Sequence, residues 1–135
     1  VKKRGPDKIR AADLLHDSER DNRFLEDIKK KIPLNDENAS NFIEQVYNIL
    51  LKMIRAKMLV EGYKAAGHAA HESEVAYLAT LGFSEAEIEF MDEIRYSRNR
   101  ILYYGTSFNK EYTEKVLTFF NKMYPKLKKL VEDSD

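Results

Sequence analysis

Glycine and proline are scarce in this chain, and that scarcity limits what it can fold into. The 135 residues include five glycines and three prolines, whereas Glu, Lys, Leu, Ala and Arg, which all have high helix propensity, are abundant. We find no convincing alternation of apolar and polar residues of the kind that predicts a half-buried strand. The sequence therefore predicts an all-α fold, an up-and-down bundle of four to five helices in a single domain over residues 1–135.

Five segments combine apolar residues at helical spacing with signals for a helix start or end. The predicted helices run from near Pro6 to about Ile32, from a cap at Asn35, Asp36 or Ser40 to Gly62, from Glu72 to Leu81, from Ser84 to Gly105, and from about Lys110 to Leu130. Ser84 and Glu87 have the spacing of a capping box, and Gly82 and Gly105 tolerate the positive φ of a helix end. Pro125 is expected to kink the last helix, because proline removes an amide donor.

The overall charge gives no general attraction to nucleic acid. Lys and Arg together number 23, as do Asp and Glu, so the formal net charge at pH 7 is zero and RNA binding would need a local basic patch. The absence of cysteine excludes disulfides, thiol catalysis and Cys-based zinc sites. His68, His71 and Glu72 fit no strong metal-binding spacing, so we expect neither a metal nor a cofactor.

The location of the protein is predicted from what the sequence lacks. No apolar run reaches the roughly 18 residues that a membrane-spanning helix needs. The basic N-terminus has no apolar segment behind it, so no signal peptide is expected. We therefore expect a soluble, cytoplasmic protein without a membrane partner.

The fourth predicted helix has an arginine within its apolar stripe. The stripe consists of Ile88, Met91, Ile94, Arg98, Ile101 and Leu102. Because a guanidinium group does not lose its proton, Arg98 must either find acceptors, face a wet cleft or extend to the surface. The acidic residues that could pair with it are Glu61, Glu72 and Asp92.

Arginines and tyrosines are interleaved around this position. The set consists of Arg95, Tyr96, Arg98, Arg100, Tyr103 and Tyr104. Basic groups position phosphates and aromatic rings stack on unpaired bases, so the segment predicts contact with single-stranded RNA. The alternative interpretation is a solvated helix surface or a dimer interface, where the same residue types also occur.

The stretch over residues 97–105, SRNRILYYG, resembles the conserved segment of HEPN domains, particularly small archaeal and bacterial ones. Their motif is an Arg, commonly followed by Asn, with four to six residues before a His. Arg98 and Asn99 match the first two positions, and Tyr103 stands where the His would be. The similarity also includes residues 67–72, 77–78 and 82–84.

The resemblance implies a homodimer in which the Arg helices of two subunits surround a shared cleft that binds RNA or a nucleotide. The implied binding residues are Arg95, Arg98, Asn99, Arg100, Tyr103 and Tyr104. Many HEPN proteins are metal-independent ribonuclease toxins paired with a small nucleotidyltransferase antitoxin. Two alternatives follow from that property: a ribonuclease with Arg98 and Tyr103 as candidate catalytic residues, and a non-catalytic protein partner of a minimal nucleotidyltransferase.

The tyrosine at position 103 favours binding over cleavage. RNA cleavage by the 2′-hydroxyl needs a base with a pKa near neutrality, whereas a tyrosine is ionised to only about one part in a thousand at pH 7. Tyr103 could instead donate a proton, form hydrogen bonds or stack on a base. His71 lies within the region of resemblance and is the alternative candidate for the base.

Helix geometry separates the two motif residues. Arg98 and Tyr103 are five positions apart, which places them about 140° apart around a regular helix. Asn99 and Tyr103 share one face, because they are four positions apart. We therefore expect Arg98 to meet Asn99 and Tyr103 of a second subunit, so that the predicted site depends on dimerisation.

Overall fold

The computed structural model of the protein describes residues 5–67 and 69–133, together with the backbone of residues 2–3. Within this part the chain forms five α-helices. These are α1 (Lys8–Lys31), α2 (Ala39–Glu61), α3 (Ala70–Ala76), α4 (Glu85–Tyr104) and α5 (Lys110–Glu132), with a 3₁₀ helix at Tyr77–Leu81. The predicted all-α helical bundle is confirmed.

One very short sheet is present, which the sequence analysis did not predict. Strand β1 (Lys2–Lys3) pairs antiparallel with β2 (Tyr63–Lys64), and Lys2 lies opposite Lys64. A strand of two residues is too short to show alternation in the sequence. The pairing holds the start of the chain beside the segment that follows α2.

Helix α2 is the centre of the bundle. It packs against each of the other four α-helices, and residues on several sides of it are fully buried, including Ile43, Tyr47 and Ile54. Each large apolar side chain removed from water in this way contributes roughly 1.5–3 kcal/mol. Helices α3 and α4 are therefore positioned by a rigid central helix. No helix within the described residues is both long enough and apolar enough to cross a membrane.

The glycines and the capping box end and start helices where predicted. The Ser84 hydroxyl accepts a hydrogen bond from the Glu87 amide at 3.1 Å, and the Glu87 carboxylate accepts one from the Ser84 amide at 2.9 Å. Gly82 and Gly105 adopt φ values of 85° and 64°, in the left-handed region that favours glycine. These ends fix the length of α4.

Other helix ends differ from the prediction by a few residues. Helix α1 begins at Lys8 because Asp7, rather than Pro6, lies at its start and accepts from the Arg10 amide. The third helix begins at Ala70 and tightens into the 3₁₀ helix before Gly82. Helix α5 continues through Pro125 to Glu132.

Two of the residues predicted to cap α2 have a longer-range role. Helix α2 begins after Asn38, and the Asp36 carboxylate accepts from the Lys110 amide at 2.8 Å. The Ser40 hydroxyl accepts from the Phe108 amide at 3.2 Å. Both side chains therefore join the start of α5 to the start of α2, a role that local sequence pattern does not reveal.

Candidate functional site

Arg98 lies on the inward side of α4, as its place in the apolar stripe predicts. It is half-buried, and its guanidinium carbon is 5.6 Å from the centre of the Tyr47 ring on α2. Tyr47 is fully buried. At this distance the cation is attracted to the electron-rich ring face, so Tyr47 forms a support on which the Arg98 side chain rests.

The acids that could have paired with Arg98 have other partners or lie elsewhere. Asp92 accepts from Arg95 at 2.8 Å, and Glu61 accepts from the Tyr77 hydroxyl at 2.6 Å. Within the described residues Arg98 forms no ion pair. Its positive charge therefore remains without a carboxylate at a half-buried position.

A polar network from α2 and α3 continues from Tyr47. The Tyr47 hydroxyl lies 3.1 Å from Nδ1 of His71, and Nε2 of His71 lies 3.3 Å from Nη2 of Arg55. Arg55 also donates to Glu74 through Nε and through Nη2, the latter at 3.2 Å. We call Tyr47, Arg55, His71, Glu74 and Arg98 together the Arg98 cluster.

The hydrogen bonds define the proton position on His71. A guanidinium group only donates hydrogen bonds, so Nε2 of His71 accepts from Arg55. The single ring proton of the neutral imidazole is then on Nδ1, from which it is donated to the Tyr47 hydroxyl oxygen. Arg55 and Tyr47 together hold His71 as a neutral ring in one orientation.

Charges in the cluster support the same protonation state. Burial lowers the pKa of His71, and the cations Arg55, Arg98 and Arg95 lower it further, while Glu74 opposes them. Burial raises the pKa of Tyr47 to about 12, with Glu74 adding to the rise. His71 is therefore neutral and Tyr47 protonated at pH 7. Tyr47 has no negative charge that would offset the positive charge of Arg98.

The other two arginines of the predicted site have different surroundings. Arg95 is paired with Asp92 and lies 4.6 Å from the centre of the Tyr96 ring. Arg100 is exposed, and its guanidinium lies 5.7 Å from the Phe108 ring. Arg100 is thus accessible to a ligand, whereas the charge of Arg95 is partly neutralised.

The tyrosines of the predicted site lie on the opposite, outward side of α4. Four large side chains of α4 are exposed, three of them in its last turn, and we call them together the tyrosine face. Its members are Tyr96 (59% exposed), Leu102 (51%), Tyr103 (70%) and Tyr104 (81%). Arg98 points inward and Tyr103 outward, as the predicted angle between them requires. One subunit therefore does not bring these two motif residues together, and Asn99 is half-buried between them.

Sequence reasoning missed three members of the cluster and gave His71 only a minor role. Tyr47 and Arg55 lie within the apolar run of α2, and Glu74 precedes the buried Val75. The available signal is that polar and charged side chains stand at core-facing positions of two helices. Nothing in the sequence indicates that they meet each other.

No metal centre is found in the described part of the chain, where no three His, Cys, Asp or Glu residues are grouped to hold an ion. His68, one of the histidines considered as a ligand, lies outside the described residues.

Compared with protein-family models, with curated proteins and with solved structures, the chain has no match. The HEPN resemblance therefore stays a prediction that rests on residues 97–105 and their flanking segments.

Proposed function

We propose that the protein is a HEPN-like domain that binds single-stranded RNA through its phosphates, in a cleft between two subunits. The observation that carries the proposal is the half-buried Arg98, which lies over the Tyr47 ring without a carboxylate partner in the described part of the chain. A phosphate oxygen would supply the missing acceptors and the missing negative charge. The phosphate group of a single nucleotide would supply the same acceptors and the same negative charge.

The tyrosine face supports RNA rather than a simple anion as the ligand. Tyr103 and Tyr104 expose their rings at the end of α4, close in sequence to the exposed Arg100. Stacking of a base on an aromatic side chain contributes roughly 1–3 kcal/mol in single-strand binding, with little dependence on sequence. Phosphate contacts by arginines and stacking by tyrosines are therefore available along one helix.

The tyrosine face also supports dimerisation. Leu102 and Tyr103 are large side chains exposed on the same helix, and clustered exposure of this kind is typical of an interaction surface. A two-fold contact between α4 helices would cover part of this face. It would also bring Asn99 and Tyr103 of one subunit towards Arg98 of the other, which a single subunit does not achieve.

The proposal is tested by measuring mass in solution and affinity for a fluorescent single-stranded RNA. We expect the wild type to be a dimer and Arg98→Ala to bind RNA at least about tenfold more weakly, because the variant cannot form the charge-assisted hydrogen bond to phosphate. Arg20→Ala is the matched control, since Arg20 is an exposed arginine on α1 that pairs with Asp17. Equal RNA affinity of the wild type and Arg98→Ala would reject the proposed site.

A second candidate function is metal-independent RNA cleavage, and the position of His71 favours it. His71 is a neutral imidazole in the cluster that contains Arg98, whereas Tyr103 is a poor base. In this reaction the RNA displaces Arg55 from Nε2 of His71, and that nitrogen accepts the 2′-hydroxyl proton as the 2′-oxygen attacks phosphorus. The 5′-oxygen then leaves and takes up a proton from water. Arg98 would stabilise the charge that develops on phosphate.

The cleavage candidate predicts products ending in a 2′,3′-cyclic phosphate in the presence of a chelator. His71→Ala and Arg98→Ala should both abolish them. If Tyr103→Phe loses cleavage activity while His71→Ala keeps it, the proton transfer is assigned to Tyr103 instead. If the purified wild-type protein leaves the RNA uncut, the cleavage hypothesis is rejected and RNA binding remains the proposed function.

A further inference from the structure

Arg55 and Glu74 also contribute to a second polar feature, a pocket that Arg98 itself does not line. The pocket has a volume of about 240 Å³ and lies where the start of α1, the end of α2, β2 and α3 meet. Three basic residues line it, Arg10, Arg55 and Lys64, together with the acidic residue Glu74. Arg98 and the tyrosine face do not line this pocket.

The charges in the pocket are unbalanced. Glu74 is buried and receives two hydrogen bonds from Arg55, so that carboxylate and that guanidinium neutralise each other. Arg10 and Lys64 form no ion pair within the described residues. The pocket therefore has a net charge of two positive units. A dianion neutralises it, and a phosphate monoester has a charge of about −1.5 to −2 at pH 7.

The remaining walls of the pocket are apolar. Leu14, Met58 and Leu59 line it, together with Tyr63. A ligand with a small apolar or planar body would cover these walls, whereas inorganic phosphate would leave them in contact with water. The volume of about 240 Å³ is of the order that a small molecule needs.

We propose that this pocket binds a small phosphate monoester with an apolar body, held by Arg10, Arg55 and Lys64 around the phosphate and by Leu14, Met58 and Tyr63 around the body. The proposal does not rest on the RNA-binding proposal, because neither Arg98 nor the tyrosine face lines the pocket, although Arg55 and Glu74 belong to both the pocket and the Arg98 cluster. Arg55 is the one residue that lines the pocket, donates to Glu74 and also reaches His71 of the Arg98 cluster.

The experiment is isothermal titration calorimetry of the full chain with phenyl phosphate as the probe. Inorganic phosphate and phenol serve as probes for the two halves of the ligand. We expect phenyl phosphate to bind more tightly than either. Arg10→Gln and Lys64→Gln should each weaken its binding about tenfold, since each removes one cation from the phosphate. Both side chains are at least partly exposed, so both variants should keep the wild-type circular dichroism spectrum.

Two control variants separate this site from the Arg98 site. Arg20→Gln changes an exposed arginine of α1 outside the pocket, and Arg98→Ala changes the other proposed site. Both should bind phenyl phosphate with wild-type affinity. The proposal is overturned if phenyl phosphate does not bind, if Arg10→Gln and Lys64→Gln bind it as the wild type does, or if only Arg98→Ala weakens it. Loss of RNA affinity in Arg98→Ala would leave this result unaffected.

Discussion

The phenol hydroxyl of Tyr47 lies 3.1 Å from Nδ1 of His71, which joins the central helix to α3 at the candidate site. The centres of the two rings are 6.0 Å apart. Because the same Tyr47 ring lies beneath the Arg98 guanidinium, one buried side chain orients a residue of α3 and a residue of α4. The candidate site is therefore built on the core of the bundle rather than on a loop.

The first prediction concerns the protonation of His71. Three helices place groups around this ring. Helix α2 contributes Arg55 and Tyr47, α3 contributes Glu74, and α4 contributes Arg95 and Arg98. Burial and the three cations lower the pKa of His71, so Arg55→Met should raise it by removing one cation and leaving Glu74 in place. The measurement is a pH titration of the imidazole carbon-bound protons by NMR, with His71→Asn used to assign the signal.

The control for the histidine titration is Arg20→Met, which removes an exposed arginine far from α3 in the sequence and should leave the His71 pKa unchanged. A wild-type His71 that titrates at or above pH 6.5, or one that Arg55→Met does not shift upwards, would contradict the described network.

The second prediction concerns the capping box. The Glu87 carboxylate is bound by the Ser84 amide and by Lys126 at 2.9 Å, and these contacts lower the pKa of Glu87 to about 2. Because the folded pKa is below the unfolded value of 4.5, the stabilisation is present above pH 4.5 and is lost as the pH falls towards 2. Glu87→Gln keeps an acceptor for the Ser84 amide but loses the charge, and should lower the free energy of unfolding by about 1 kcal/mol at pH 7.

Chemical denaturation at pH 7 and near pH 2.5 measures this effect. The difference between wild type and Glu87→Gln should shrink at the lower pH, and Glu89→Gln, an exposed acid of the same helix, should differ little from wild type at pH 7. A difference that stays constant with pH would show that the charge of Glu87 is not the cause.

The third prediction concerns the hydrogen bonds that hold α4 against α5. The Tyr112 hydroxyl donates to Glu93 at 3.0 Å and lies 2.8 Å from the buried Ser97 hydroxyl, which therefore donates to it. Tyr112→Phe leaves Ser97 without its acceptor and should lower the free energy of unfolding by about 1–2 kcal/mol. The control is Tyr104→Phe, which removes the hydroxyl of an exposed tyrosine and should change the free energy of unfolding little.

The double variant Tyr112→Phe with Ser97→Ala sharpens this prediction. Its loss of stability should be smaller than the sum of the two single losses, because both remove the same hydrogen bond. Strict additivity in urea denaturation would mean that the two hydroxyls do not interact.

The fourth prediction concerns the tyrosine face as a dimer interface. Leu102→Glu and Tyr103→Glu place charge on a surface that the proposed dimer buries, so each should shift the solution mass from dimer to monomer. Light scattering after gel filtration measures the mass, and Arg20→Glu is the control on α1. A monomeric wild type, or a dimer that survives both substitutions together, would place the subunit interface elsewhere or remove it.

The fold was largely predictable because its signals are local. Gly82, Gly105 and the Ser84 and Glu87 pair set helix ends through backbone geometry and short-range hydrogen bonds, which are evident in the sequence. Asp36 has the pattern of a local cap but binds the Lys110 amide. Local pattern cannot predict such a partner, because the distance in sequence is bridged by the packing of α2 against α5.

The residue pattern predicted the candidate site only on α4, and His71 of α3 was named through the family resemblance alone. Arg98 stands out because a permanent cation interrupts an apolar stripe. Tyr47 and Arg55 are two turns apart on α2, and each by itself is typical of a core ring or a surface ion pair. Their connection to His71 depends on where α3 packs, and the sequence does not encode that position in any short motif.

The most direct test of the central claim is the salt dependence of RNA affinity for wild type and Arg98→Ala. For single strands, the slope of log K against log salt concentration changes by about 0.7 for each phosphate that the protein no longer neutralises. If Arg98 binds a phosphate, the slope of Arg98→Ala should be shallower by about 0.7 and that of Arg20→Ala unchanged. Parallel slopes for wild type and Arg98→Ala would show that Arg98 does not bind the RNA backbone, and would contradict the proposed function.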